Sequence, residues 1–127
     1  MSFGYHAGAL SKDASYRCGS LFGAANAKIV LREIEARRDR GEDVDPRVEA
    51  ATWALLCYFR EIIKGMGDEA MRATYKQEHD GRVLSEHEAT ILDEAISKPV
   101  KTTITQEQAQ ERADFVRDET MSWWSSP

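Results

Sequence analysis

The chain has 127 residues, 42% of them hydrophobic and 31% charged, with a formal net charge of −5. That length suits one domain with a real core, and that composition excludes a disordered polypeptide. The acidic balance argues against a generic nucleic-acid binder, whose affinity comes mostly from phosphate contacts, and no apolar run approaches the roughly 20 residues of a membrane helix.

The N-terminal stretch MSFGYHAGALSKD lacks the basic region and long apolar run of a secretory signal. Residues 1–12 are expected to form a mobile lead-in to a single helical domain spanning 1–127, located in the cytoplasm. Strand-like alternation is nearly absent, and SFGY and VKTTIT read as extended connections.

Helical signals dominate the rest. The first helix begins between Asp13 and Ser20 and runs to about Arg40, where Gly41 is a natural stop and Arg37, Arg38 and Arg40 suit the negative end of the helix dipole. Asp45 is a natural N-cap and Pro46 a natural first helical residue. The second helix therefore runs from 45 to about Lys64, where GMG breaks it. A weaker third helix begins at Asp68 and fades by His79. Ser85 and Glu88 form a capping box for a fourth, which stops before Pro99; Thr105 and Gln108 form another for a fifth, which ends near Ser122. The fold class is all-α: a compact bundle of about five helices built on a long antiparallel hairpin of residues 15–40 and 45–64.

The small-residue stretch CGSLFGAANA, residues 18–27, opens the first helix with glycines at 19 and 23. Each glycine in a helix costs about 1 kcal/mol relative to alanine, so a packing reason is expected. Tyr16, Ser20, Gly23, Ala27, Val30 and Ile34 recur at fours and threes, as do Val48, Thr52, Leu55, Phe59 and Ile62 in the second helix. Paired outward from the short turn, Ile34 meets Val48, Val30 meets Thr52, Ala27 meets Leu55, Gly23 meets Phe59 and Ser20 meets Ile62. Gly23, Ala27, Leu55 and Phe59 are thus the helix-packing residues, with small opposite large. A groove of small residues for a partner is the alternative. A phosphate loop is excluded, because no strand precedes the glycines and GSLFG lacks the Lys-Ser/Thr of a P-loop. The two cysteines, Cys18 and Cys57, are offset by about 10 Å in this register and are expected as reduced thiols.

The second helix is apolar nearly all round and reads as central. The faces offered by Met71, Tyr75, Leu84, Leu92, Ile96, Ala109, Ala113 and Val116 are thin, so a homodimer is expected to cover part of the apolar surface. In the fifth helix Glu107, Glu111, Asp114 and Asp118 are spaced four, three and four, forming one acidic stripe. Trp123 and Trp124 follow it, and tryptophan is favoured in binding hot spots. These six are the candidate partner-binding residues. ERAD, Glu111 to Asp114, matches one half of the paired acidic motifs of helical nucleotide pyrophosphatases, and no ExxE accompanies it. Neither His79 nor His87 has a glutamate three residues before it, as a di-iron bundle would require.

No catalytic residue, metal site or cofactor is expected. The leading expectation is a small acidic interaction module that inhibits or regulates another protein or protein complex. In class it is similar to phage inhibitors of nucleic-acid machinery such as CRISPR complexes, which act by steric block or charge mimicry. Direct nucleic-acid or membrane binding is not expected. The alternatives are a metal- or ligand-dependent helical-bundle enzyme and a dimeric DNA-binding regulator using the arginines of the first helix.

Overall fold

The computed structural model describes residues 13–78, 80–97 and 104–124, with the side chains of 13–19 and 78 outside that description. The expected mobile segment 1–12, the side chains of Tyr16 and Cys18, all of His79, and the stretch from Pro99 to Thr103 lie outside it.

Among the described residues five α-helices follow one another: α1 Asp13–Asp39, α2 Pro46–Met66, α3 Asp68–Glu78, α4 Glu86–Ser97 and α5 Gln106–Thr120. A 3₁₀ turn, Met121–Trp123, extends α5. No strand occurs among the described residues, and no helix there is long and apolar enough to cross a membrane. The all-α bundle on an antiparallel hairpin is therefore the observed architecture.

The helix ends follow local chemistry. Gly41 accepts the positive φ that ends α1, and its N–H donates to the Arg38 carbonyl at 2.9 Å. Asp45 caps α2 by accepting from the Arg47 amide at 2.9 Å, with Pro46 at the first helical position. Both capping boxes form: Glu88 N–H donates to Ser85 Oγ at 3.2 Å and Ser85 N–H to Glu88 Oε1 at 3.0 Å, while Thr105 and Gln108 exchange the same pair at α5.

Of the GMG breaker, only the second glycine acts. Gly67 takes φ +87° and closes the helix, whereas Gly65 stays inside α2. A Cβ at Gly65 would meet nothing within 4 Å. Gly65→Ala is therefore expected to stabilise the fold by about 0.5–1 kcal/mol through helix propensity, read by urea unfolding. An unchanged or lower midpoint would contradict it.

The turn between α1 and α2 is laced with charge. The Arg47 guanidinium folds back on Asp45 at 2.7 Å, and that hydrogen bond holds the Asp45 carboxyl below its ordinary value. Arg40 does the same to Glu42 at 2.8 Å. The folded chain then binds fewer protons at these carboxyls than the unfolded chain does. Their contribution is complete above the unfolded carboxylate range and is lost as pH falls through the lower folded values. The melting-temperature gap between the protein and Asp45→Asn should accordingly narrow between about pH 5 and about pH 2. A gap constant across that range would refute the linkage.

α2 is the hub and packs against all four other helices. The hairpin seam is buried: Ser20, Gly23, Ala27, Val30 and Ile34 on α1, and Val48, Thr52, Leu55 and Phe59 on α2. Gly23 lies directly against the Phe59 ring; a Cβ there would stand 2.6 Å from ring carbons. At the far end of the seam Ile63 is fully buried and Ile62 only partly. An ideal helix drifts from a strict 3.5-residue repeat by about 20° per heptad, so the extrapolated seam slips by one residue. Met71, Tyr75, Ile91, Leu92, Ala95, Ala109, Ala113 and Val116 are buried within the single chain, closing the core over α2.

Candidate functional site

Two surfaces of the bundle carry unusual side chains. The first is the acidic face of α5. The i, i+4, i+7, i+11 spacing of Glu107, Glu111, Asp114 and Asp118 sets them on one stripe, while Ala109, Ala113, Val116 and Thr120 bury the opposite side. Glu107 and Glu111 are exposed and make no ion pair or hydrogen bond among the described residues. Asp114 is half-buried and accepts from Gln110 at 2.9 Å and from Arg117 at 3.3 Å. Asp118 is exposed and accepts from the same Arg117 at 3.3 Å. The stripe is thus uncompensated at its N-terminal half and partly neutralised at the other.

Three residues beyond Asp118 the stripe meets Met121, 57% exposed. Trp123 and Trp124 follow but turn inward. Both are half-buried and packed on the core, edge to face with centroids 6.2 Å apart. The Arg37 guanidinium sits 4.5 Å over the Trp123 ring, tying the chain end to the C-terminal turn of α1. A 3₁₀ turn, tighter than an α-helical one, follows Thr120, and both indoles pack against the core beyond it. The exposed large apolar side chain beside the carboxylates is therefore the methionine rather than either tryptophan.

The second surface is a shallow groove of about 330 Å³ between α1 and α2. Leu31 and Leu56 form its floor, and Trp53 stands beside it, 49% exposed. Lys28 Nζ (2.6 Å) and Arg60 (3.1 Å) both donate to one oxygen of Glu94, joining α1, α2 and α4 at one end. The three side chains are 13–23% exposed, so this cluster is largely shielded from solvent and, among the described residues, sets two cations against one carboxylate. Arg38 and Glu49, 2.8 Å apart, close the other end. Along the rim Arg32 and Glu35 are exposed, and neither has an ion partner among the described residues.

Sequence reasoning missed this groove. Trp53 reads as one more apolar residue of a central helix, and the Lys28–Arg60–Glu94 cluster joins residues from three helices. The one available signal was the run of charges on α1 at helical spacing. Elsewhere, Cys57 is a half-buried free thiol and His87 is exposed. No group of three or more His, Cys, Asp or Glu among the described residues is arranged to hold a metal ion. No family model, curated protein or solved structure matches the chain.

Proposed function

We propose that the protein is a non-enzymatic interaction module that docks a basic surface of another protein through the outer face of α5. The observation that carries this reading is the stripe of Glu107, Glu111, Asp114 and Asp118 ending in the exposed Met121. Carboxylates without a local counter-ion favour a partner that supplies one, and they steer encounter with cationic grooves. Methionine next to them offers an adaptable apolar contact of the kind used at protein-binding surfaces. Trp123 and Trp124 hold the tail of the stripe in place and leave part of each indole at its margin. The action is steric block or charge mimicry, which requires no chemistry at the site.

The test uses tagged full-length protein as bait in extract of the source cells, with and without nuclease. A stoichiometric protein partner that survives nuclease is expected. Glu107→Lys combined with Glu111→Lys is expected to cut its recovery at least about tenfold, because charge reversal opposes both steering and docking. Neither side chain makes an ion pair or hydrogen bond among the described residues. Reversal at Glu107, in the first turn of α5, costs about 0.3–1 kcal/mol at most through the helix dipole, so circular dichroism should show the fold retained. Recovery indifferent to the two reversals would sink the α5 reading.

A further inference from the structure

The charges along the exposed face of α1 follow an order that the isolated chain does not explain. Lys28, Arg32, Glu35 and Asp39 are spaced four, three and four, so they line one face in the order basic, basic, acidic, acidic. Within one helix this order is unfavourable twice over. Lys28 with Arg32, and Glu35 with Asp39, are like-charge pairs at i, i+4, and the two acids sit towards the negative end of the helix dipole. Arg32, Glu35 and Asp39 are also the charged side chains of α1 that carry no ion pair among the described residues, whereas Lys28, Glu33, Arg37 and Arg38 are all paired. The same face borders the groove that exposes Trp53.

We infer that this face pairs with a second copy of the chain, α1 against α1 in antiparallel sense about a two-fold axis between Arg32 and Glu35. The basic-basic-acidic-acidic order is self-complementary in that arrangement alone. Arg32 meets the partner's Glu35, and Lys28 meets the partner's Asp39; each contact occurs twice, as two-fold symmetry demands. A parallel pairing would set like against like at every position. The partner's Asp39 arrives where Lys28 and Arg60 outnumber Glu94, and so balances the excess cation. In the hairpin register Trp53 stands about one turn from the axis, so the two indoles flank it and cover the grooves with Leu31.

The contact spans 12 residues of α1, about 17 Å, and the width of two helices. That is a small interface, and a concentration-dependent dimer in the micromolar range is expected rather than an obligate one. The inference is independent of the α5 face, and its test reads mass alone.

Sedimentation velocity of the full chain from about 1 to about 500 µM should show a monomer–dimer equilibrium that weakens as salt rises to about 0.5 M. Arg32→Glu alone and Glu35→Arg alone should each weaken it at least about 30-fold, since each reversal acts twice across the axis. Mixing those two variants should restore dimers as heterodimers, and so should combining both reversals in one chain. Both residues are exposed and unpaired, so circular dichroism should be unchanged. A monomer at every concentration, or a dimer indifferent to the single reversals, would overturn the proposal. So would single variants that fail to recover on mixing.

Discussion

Gly23→Ala is expected to lower stability by about 2 kcal/mol, although alanine is preferred over glycine in a helix by about 1 kcal/mol. The packing term wins because of where the new methyl would go. A Cβ at position 23 would stand 2.6 Å from two carbons of the Phe59 ring and 2.8 Å from a third. The ring cannot step aside. It is 2% exposed, edge to face with Tyr58 at 5.7 Å, and held in the middle of the hairpin seam. Either the two longest helices move apart or the ring leaves its rotamer, and both open voids in a core packed to near-crystalline density. The control is a double-mutant cycle. Phe59→Leu removes the outer ring carbons, and in that background Gly23→Ala should become neutral or stabilising. A urea series of the four proteins measures this. A cost that persists unchanged with leucine at 59 would mean that the glycine serves the backbone rather than the ring.

Glu94→Ala is expected to cost about 2 kcal/mol, less than the 3–5 kcal/mol of a fully buried pair because the cluster keeps some solvent contact. The loss comes from what remains behind. Lys28 and Arg60 converge on one carboxylate oxygen at 2.6 and 3.1 Å. Without it, two cations face each other in a shielded corner between three helices. Lys28→Met should be mild by comparison, since Arg60 keeps its partner and the methionine stem still lines the groove beside Leu31. Combining it with Glu94→Ala should return part of the loss, as one of the two stranded charges is gone. Additivity of the two substitutions would show that the cluster is not coupled.

The two sites differ in how far the chain announces them. The approach of Gly23 to Phe59 rests on periodicity within two adjacent helices and a turn of known length. Such information is local, as are the caps at Asp45, Ser85 and Thr105, where a side chain reaches a backbone group a few positions away. The all-helical class and the hairpin follow from these. The stop of α2 is less legible, because GMG offers two glycines and only the backbone geometry at Gly67 selects one. The Glu94 cluster is not legible at all: nothing near position 94 says that two cations from α1 and α2 will converge there. Trp53 is hidden for the opposite reason. On a helix that is apolar nearly all round, the pattern does not say which apolar residue the neighbours leave uncovered. The acidic stripe is visible from spacing, but its compensation by Arg117 depends on rotamers that the spacing leaves free.

The Arg37–Trp123 stack joins the end of α1 to the last turn of the described chain, and this bears on the order of assembly. Contacts near in sequence form before distant ones, since closing a long loop must precede any gain from what it joins. The α1–α2 hairpin is therefore complete while the tail is still loose. On the ribosome it emerges whole before Trp123 and Trp124 are made, with the α5-facing flank of α2 bare. The indoles close last, as a latch on a bundle already formed. Fluorescence of a single-tryptophan protein retaining Trp123 should then lag behind the helical signal during refolding.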